Sequence, residues 1–406
     1  MNDKTKINSS NNILHLVYDF GLMPHVNNYK IKDDQGLAPK NPLRLMFCDK
    51  TKLLQLEEMP DRNDIYRDYD HFSSASSTNV SHLKSIANDI NKLEDKNKTI
   101  LEVGCNDATL LRELDQDFNV YGIDPATNVY KIRKDDSFKI IHEFFDIQSV
   151  GRIKNLIQKP IDVIIGINVF AHNNNYIDMF SAIYDLLSDD GYAHIEVAYA
   201  AETIMSGNFD TIYHEHYCNY TLTSLKNILN PIRLSIKDVE LIPTQGGSLR
   251  IKVAKKKSTE IISPNVKELL DYEDRNGYAD INFYKKLSQI IEHRVNTIKR
   301  DFVDKNINEN VLLVGVPARG VITSNVCGFS KLKKAIAFDD TFEKQGKVIP
   351  GTNIDIKSPT DIDFKKYKIA CLLAWTYKDD LIPRLKKLGF KGQIFIPFPN
   401  PVYYTQ

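Results

Sequence analysis

Residues 99–108 read TILEVGCNDA, an apolar run that breaks at a glycine into small and polar residues. A short apolar run bounded by turn residues is typical of a buried strand. Gly104 would let the backbone approach a ligand closely. The next residues, CNDATLLREL at 105–114, have the apolar spacing of a helix, whose first N–H groups have no partners within the helix. The stretch therefore predicts a strand, a tight turn and a helix.

A carboxylate ends the next strand-like run, about 20 residues further on. Asp124 stands in NVYGIDPA, residues 119–126. In doubly wound sheets a carboxylate at this point accepts hydrogen bonds from ribose hydroxyls. The segment has neither GxGxxG spacing nor the lysine of a P-loop. A turn glycine at Gly104 and a helix cap at Asp124 are the alternative interpretation.

Strand-like and helical segments alternate on both sides of residue 255. The runs KIIHEFF (139–145), IDVIIGINVF (161–170) and YAHIEVA (192–198) are separated by helical patterns. The same order returns in ENVLLVGVPARGVITSNVCGF at 309–329. Alternating strands and helices predict parallel sheets with crossovers, so the fold class is α/β with two nucleotide-binding-like units.

The domain boundaries follow from changes in composition. Residues 1–75 contain short apolar runs between turn-forming residues and predict a small β-rich module. Residues 76–255 form the first α/β domain, and the charged stretch KKKSTEIISPN begins the second, at 256–406. Within the second domain, apolar spacing from about residue 265 to 302 predicts one long amphipathic helix.

Composition limits the partners and the compartment. The 406 residues contain 53 basic and 53 acidic side chains, so the formal charge is zero, which argues against a nucleic-acid or anionic-membrane partner. The five cysteines include no CxxC pair and are typical of reduced thiols. We find no signal peptide and no run of ~18 apolar residues, and expect a cytoplasmic protein without a membrane span.

Six motifs resemble one family in their order and spacing. They are EVGCNDATLL (102–111), GIDPATN (122–128), EFF (143–145), INVFAH (167–172), FDTIYHEHY (209–217) and QGGSLR (245–250). This set resembles the sugar C-methyltransferases, S-adenosylmethionine-dependent enzymes that methylate a carbon of nucleotide-linked keto-deoxysugars. GVPARG (315–320), DDTFEKQGKVIPGTNIDI (339–356) and LLAWTYKDDL (372–381) resemble the family's last domain.

The resemblance implies a fold and a cofactor. It implies a small N-terminal module of the zinc-binding type, a central Rossmann-like methyltransferase domain and a second, C-terminal Rossmann-like domain for nucleotide and substrate. The cofactor would be S-adenosylmethionine. The residues implied to bind it are Glu102, Gly104, Asn106, Asp124, Pro125, Phe145 and Asn168.

The segment Tyr213-His214-Glu215-His216 concentrates titratable side chains. If it is extended, Tyr213 and Glu215 lie on one face and the two histidines on the other. Carbon methylation next to a ketone needs a base to remove the α-proton, and the pKa of histidine suits that role. The resemblance assigns active-site roles to Tyr213, Glu215 and His216, with His216 as our preferred base. A histidine metal pair or purely structural histidines are the alternatives.

Further polar residues are implied around that site. By resemblance Asn168 and His172 line it and polarise the ketone. Arginines at 250 and 319 could each clamp a pyrophosphate, or could instead form surface salt bridges. The residues expected on the substrate side are His71, Ser74, Gly247, Ser248, Arg250 and Arg319.

The chain departs from the family pattern in four places, one of which is Arg319, where the family often has lysine. Of the family's two C-x-x-C pairs only Cys48 is present, with Thr51 at its partner position, so we predict no structural zinc. His71 replaces a tyrosine on the substrate side. Ala108 replaces a glycine in the cofactor loop, and we expect its φ to be negative.

These observations predict a methyltransferase that acts on carbon next to the ketone of a nucleotide-linked 4-keto-deoxysugar, and the family suggests a monomer. The first alternative is an O- or N-methyltransferase for another phosphorylated or nucleotide-linked small molecule of a surface-polysaccharide or natural-product pathway. The second is a non-catalytic subunit of a surface-polysaccharide system.

Overall fold

A computed structural model of the chain describes residues 5–7, 12–32, 40–67, 72–130, 138–258 and 261–404. The strands are β1 (Thr5–Ile7), β2 (Ile13–Pro24), β3 (Lys40–Cys48), β4 (Leu54–Leu56), β5 (Thr99–Val103), β6 (Asn119–Ile123), β7 (Lys139–Ile141), β8 (Ile161–Ile167), β9 (Leu187–Ala198), β10 (Cys218–Asn219), β11 (Leu234–Ile242), β12 (Ser248–Lys255), β13 (Asn310–Val314), β14 (Lys334–Phe338), β15 (Ile356–Lys357), β16 (Ile369–Leu372), β17 (Gln393–Ile396) and β18 (Val402–Tyr404). The α-helices are α1 (Arg62–Tyr66), α2 (Ser77–Asn91), α3 (Thr127–Tyr130), α4 (Val150–Ile157), α5 (Tyr176–Leu186), α6 (Ala200–Thr203), α7 (Leu222–Leu229), α8 (Pro264–Arg275), α9 (Ile281–Ile298), α10 (Ala318–Val326) and α11 (Lys378–Lys387).

The N-terminal region folds as an antiparallel sheet in the order β1-β2-β3-β4-β10. Its last strand does not come from the N-terminal region, because residues 218–219 pair with β4. The outermost strand of this sheet, β10, therefore follows the Tyr213–Tyr217 segment directly in the chain. This β-rich module was expected from the sequence, but its completion by a strand from a distant part of the chain was not.

The central sheet has the order β11-β12-β9-β8-β5-β6-β7. The strands from β9 to β7 in that order are parallel, while β12 and β11 are antiparallel to their neighbours. The chain leaves β5 in one direction to form β6 and β7, then returns to form β8 on the other side. Loops after β5 and β8 therefore diverge at the switch point, where open α/β sheets bind ligands.

The C-terminal sheet has the order β15-β14-β13-β16-β17-β18, parallel except for β18. Its switch point lies between β13 and β16, so the GVPARG loop after β13 lies where a ligand would be expected. The α/β class, with two Rossmann-like units and a small β-rich module, is confirmed. The boundaries at 75/76 and 255/256 stay predictions.

Two predicted helices are wrong in detail. Residues 105–114 form turns and one short 3₁₀ helix, Leu111–Glu113, because three residues in this loop adopt left-handed backbone angles that cannot continue a right-handed helix. The long amphipathic stretch divides into α8 and α9, and a π-helical turn follows at Lys299–Val303. The break lies at Gly277, where φ is +74°.

No helix in the described part of the chain is both long and apolar enough to cross a bilayer.

Candidate functional site

The loop after β5 is tightly coiled. Gly104, Asn106 and Ala108 all have positive φ, at +69°, +46° and +62°. The expectation of a negative φ at Ala108 is therefore wrong. Its buried methyl group packs in the core beneath the loop, and this packing offsets the ~1–2 kcal/mol cost of a left-handed residue.

Asp124 lies at the end of β6, beside this loop. Its carboxylate accepts hydrogen bonds from the backbone N–H groups of Asn106 (2.8 Å) and Ala126 (2.8 Å), one on each oxygen. These two bonds hold a buried carboxylate at the switch edge of the sheet. The predicted ribose acceptor is thus fixed in orientation against the predicted cofactor loop.

The Phe72–Ser74 segment closes over the same loop. The backbone N–H of Ser73 donates to Asn106 Oδ1 (3.0 Å), and that of Ser74 donates to Asp107 Oδ2 (2.9 Å). Burial alone would raise the pKa of Asp107, but hydrogen bonds from Ser74 and Thr109 outweigh burial and lower it. Ser74 therefore lies against the cofactor loop. His71 lies outside the described residues.

The loop after β8 brings Asn168 to the same edge. Asn168 has a φ of +55°, and its N–H donates to the Glu196 carbonyl (2.9 Å). Its neighbour Val169 covers Gly104 so closely that a Cβ on the glycine would lie 2.9 Å from Val169 Cγ2. Three other residues were predicted to bind the cofactor. Glu102 within β5 and Phe145 shortly after β7 are buried, and Pro125, next to Asp124, is partly buried.

The Tyr213–His216 segment is a turn, not a strand, because the N–H of His216 donates to the Tyr213 carbonyl (2.8 Å). The alternation predicted for an extended segment is therefore wrong. Tyr213 and His216 come together, with ring centroids 4.0 Å apart and 2.7 Å between the Tyr213 hydroxyl and His216 Nε2.

The hydrogen bonds of His216 define its tautomer. Nδ1 lies 2.9 Å from the Thr211 carbonyl, which can only accept, so Nδ1 carries the proton. Nε2 therefore offers a lone pair, to which the Tyr213 hydroxyl donates. Burial, followed by the neighbouring His172, lowers the pKa of His216 well below 6.5, so the ring is neutral. Burial and the charge of Glu215 raise the pKa of Tyr213 well above 10.

His172 joins this pair from the loop after β8. Its ring centroid lies 5.2 Å from that of His216 and 5.6 Å from that of Tyr66 on α1. The Tyr66 hydroxyl donates to the backbone carbonyl of Glu215 (3.2 Å). Since Asn168 and His172 are in one short loop, the cofactor edge of the sheet and the Tyr213–His216 pair are directly connected.

His214 points elsewhere. Its ring faces His25, with centroids 5.3 Å apart, and burial together with His25 lowers its pKa to about 4. His214 and His216 therefore do not face a common ion. Across residues 5–7, 12–32, 40–67, 72–130, 138–258 and 261–404, no group of three or more His, Cys, Asp or Glu side chains has metal-binding geometry.

Sequence reasoning missed Asp210. Its carboxylate is fully buried and accepts a hydrogen bond from Trp375 Nε1 of the C-terminal domain (2.6 Å). Burial raises its pKa, and the positive charge of Arg319 partly offsets that effect. Asp210 immediately precedes Thr211, so the bond to Trp375 connects the C-terminal domain to the carbonyl that orients His216. Its place inside the FDTIYHEHY motif was the available signal.

Arg319 lies close to the Gly246-Gly247 turn. A Cβ on Gly246 would lie 3.5 Å from Arg319 Nη1, and Arg319 also lowers the pKa of His216. The Ser248 hydroxyl donates to the Thr244 carbonyl (2.9 Å), and the Gly247 carbonyl accepts from the Tyr199 N–H (3.0 Å). Arg319 therefore lies beside the glycine turn, and its positive charge reaches His216.

Arg250 is not part of this group. It pairs across strands with Glu196 on β9 and Glu240 on β11, at 2.7 Å and 3.1 Å. Glu196 is almost completely buried and also contacts His82 on α2 at 2.6 Å. The Arg250 guanidinium therefore pairs with a buried carboxylate within the sheet, which differs from the surface salt bridge named as the alternative.

Comparisons with known proteins agree with this architecture. A methyltransferase domain matches residues 80–232, and a C-methyltransferase C-terminal domain matches residues 243–399. The C-methyltransferase NovU of Streptomyces niveus is 27% identical over 393 residues, which cover 95% of this chain and 93% of that protein.

Two similar solved structures are the magnesium protoporphyrin IX methyltransferase of Synechocystis PCC 6803 with bound S-adenosylhomocysteine and an S-adenosylmethionine-dependent methyltransferase of Clostridium acetobutylicum. The first is 13% identical and covers 46% of this chain and 90% of its own, with a TM-score of 0.35. The second is 11% identical and covers 45% and 94%, with a TM-score of 0.34. The two domain matches, one on each α/β unit, and the similarity along 95% of the chain agree with the sequence motifs. The chain is an S-adenosylmethionine-dependent methyltransferase that is similar to C-methyltransferases along nearly its whole length.

Proposed function

We propose that this methyltransferase transfers a methyl group to the carbon next to the ketone of a nucleotide-linked 4-keto-deoxysugar. The observation that carries the proposal is the chain of hydrogen bonds from Tyr213 through His216 to the Thr211 carbonyl. It couples the lone pair of a neutral imidazole to the Tyr213 hydroxyl, so that a proton can pass from that hydroxyl to His216. Such an arrangement is suited to removing a proton from carbon.

The proton would travel in one direction along this chain. The Tyr213 oxygen accepts the α-proton while its own hydroxyl proton passes to His216 Nε2. An imidazolium then forms with its Nδ1–H held by Thr211. Because the pKa of His216 lies well below 6.5, the ring is a weak base, and the enolate must be stabilised by fixed donors. His172 and Asn168 are our candidates for that role.

The residues at the switch point fit the cofactor. The turn at Gly104 has no space for a Cβ, and Asp124 is oriented by two backbone donors. We propose that Asp124, the 104–106 turn and Asn168 hold S-adenosylmethionine, with Glu102, Pro125 and Phe145 shaping its pocket. When bound there, the cofactor would supply an electrophilic methyl group, carried on its sulfonium sulfur, for transfer to the substrate carbon.

For the substrate's phosphates, the proposal relies on Arg319 and the Gly246-Gly247 turn. The guanidinium and the glycine turn lie within contact distance of each other. Arginine can bind a pyrophosphate through two parallel hydrogen bonds. Arg250 has no such role in the proposal, because two carboxylates already pair with it. Ser74 would contribute through its contact with the cofactor loop.

Deuterium exchange tests the base directly. We would incubate dTDP-, UDP- and GDP-linked 4-keto-6-deoxyhexoses with the enzyme in deuterated water and follow the protons next to the ketone by NMR. Wild type should catalyse exchange of one of them, and Tyr213→Phe should slow it by two or more orders of magnitude, the usual contribution of acid–base catalysis.

Tyr217→Phe is a matched control. Tyr217 is also buried in this segment, and its hydroxyl accepts from Gln55 Nε2 (2.8 Å), away from His216. It should retain exchange close to that of wild type. If wild type exchanges no proton on any of the three sugars, or if the two variants behave alike, the proposal is wrong.

A further inference from the structure

The N-terminal module extends a short segment, residues 25–30, into the junction between the central and C-terminal domains. The segment is a turn, in which the Asn28 N–H donates to the His25 carbonyl (3.2 Å) and the Tyr29 N–H to the Asn27 carbonyl (3.0 Å). Two of its side chains point to different partners. One reaches the Tyr213–His216 turn, and the other reaches the GVPARG loop.

The first contact is made by Asn27. Its Nδ2 donates to Glu215 Oε1 (2.7 Å), and this carboxylate is almost completely buried. Glu215 lies close enough to Tyr213 to raise the pKa of that hydroxyl. A buried carboxylate that loses a donor moves or rearranges, because unmet hydrogen-bonding capacity is costly. Asn27 therefore bonds to one of the charged groups that, after burial, raise the pKa of Tyr213.

The second contact is made by Tyr29. Its hydroxyl donates to the Val316 carbonyl (2.8 Å), which also accepts from Lys344 Nζ (3.0 Å). The Lys344 ammonium lies over the Tyr29 ring, 5.4 Å from its centroid. Val316 stands three residues before Arg319, in the loop after β13. Tyr29 therefore fixes the backbone that presents this arginine.

Backbone pairing anchors the segment to the C-terminal domain. The Val348 N–H donates to the Lys30 carbonyl (3.0 Å), and Lys32 forms an exposed ion pair with Asp355 (3.4 Å). Two domains joined by a linker move relative to one another unless an interface holds them. A rigid turn bonded to both sides fixes their separation at this point.

We propose that Asn27 and Tyr29 are positioning residues, which hold Glu215 and the Arg319 loop at a fixed separation across the domain junction. The effect on catalysis rests on the proposed function. The contacts of Asn27 and Tyr29 do not, because they are present whatever the substrate is. Small displacements at a reacting centre cost large factors in rate. The N-terminal module would thereby take part in assembling the active site.

Hydrogen exchange measured by mass spectrometry tests the contacts without any substrate. Asn27→Ala should accelerate amide exchange in the 213–217 peptide, and Tyr29→Phe should do so in the 315–320 peptide. Each change should be about fivefold, the effect of one net hydrogen bond. Lys32→Gln, two residues beyond the segment, is the control: it removes only an exposed ion pair, which contributes little, and should change neither peptide.

A double variant separates positioning from a general loss of structure. If Asn27 acts through Glu215, then Asn27→Ala should add no further acceleration at 213–217 in a Glu215→Ala background. The same additional acceleration in both backgrounds would overturn the proposal. So would unchanged exchange in both peptides of the single variants.

Steady-state kinetics with a nucleotide-linked 4-keto-6-deoxyhexose provide the second test of the proposal. Asn27→Ala should lower kcat at least tenfold with KM within twofold, and Tyr29→Phe should chiefly raise KM. A fall in kcat for Tyr29→Phe and a rise in KM for Asn27→Ala would contradict these roles. If wild type methylates none of the sugars, the proposed function fails, while the exchange results still decide whether the segment holds both loops.

Discussion

Glu196→Gln should cost the central domain about 3 kcal/mol of unfolding free energy at pH 7. Burial alone would raise the pKa of Glu196, but His194, His82 and Arg250 together lower it from 4.5 to about 2. Each tenfold change in acid strength corresponds to about 1.4 kcal/mol, which gives the estimate. Glutamine keeps the shape of the side chain and removes its charge.

The sign of the pH dependence follows from the lowered pKa. The stabilisation is fully present above about pH 4.5, the ordinary pKa of the group, and is lost as the pH falls towards 2. The difference between wild type and Glu196→Gln should therefore be constant from pH 7 to pH 5 and shrink below that. Hydrogen exchange in increasing urea, measured on peptides from β9 and β12, gives this difference locally, without assuming that all three domains unfold together.

Glu240→Gln is the matched control, because both carboxylates pair with Arg250. The Glu240 side chain is 60% exposed, whereas that of Glu196 is 1% exposed. An exposed ion pair contributes about 1 kcal/mol or less. If Glu196→Gln costs no more than Glu240→Gln, or if its cost does not shrink in acid, the stabilising role assigned to the buried carboxylate is refuted.

Four further variants test the site and its support. Gly104→Ala should weaken S-adenosylmethionine binding, measured by calorimetry, at least tenfold. The backbone φ at Gly104 is +69°, and a Cβ at this position would lie 2.9 Å from Val169. Unchanged affinity would contradict the role assigned to the tight turn. Arg319→Gln should raise KM for a nucleotide-linked substrate at least tenfold, while Arg250→Gln should lower stability and leave KM within twofold; the reverse result would reassign the phosphate site. Glu273→Ala should lower the free energy of unfolding, measured by urea denaturation, by about 3 kcal/mol. The Glu273 carboxylate accepts hydrogen bonds from two backbone N–H groups at the start of α7 and from one tyrosine hydroxyl. A loss below about 1 kcal/mol would refute this role.

Local sequence patterns predicted the parallel strands of the central sheet, the first strand of the C-terminal sheet and several polar residues at the strand ends. Asp124 and Asn168 follow strands whose apolar composition is visible directly, so their position at the carboxyl edge required no tertiary information. The helix predicted at residues 105–114 is wrong for a local reason that hydrophobic spacing does not contain. Its leucines repeat with helical spacing, yet the preceding turn uses left-handed residues and ends in a 3₁₀ helix.

The pairing of Tyr213 with His216 was not available from the sequence. Alternation predicted that Tyr213 would share a face with Glu215, but a turn places it against His216 instead. Which nitrogen of His216 carries the proton depends on the Thr211 carbonyl, five residues away and oriented by the fold. Likewise, the sequence offered Arg250 and Arg319 as equivalent candidates, and only their partners distinguish them.

The sequence by itself determined the α/β class, the order of the three parts and the set of polar residues at the strand ends, because these depend on apolar periodicity and short motifs. The tertiary structure alone decided which of those residues meet. Contacts such as Asn27 with Glu215, Trp375 with Asp210 and β10 with β4 join positions more than 150 residues apart. Such pairings arise from the packing of whole sheets and domains against one another, and no local pattern encodes their distance or orientation.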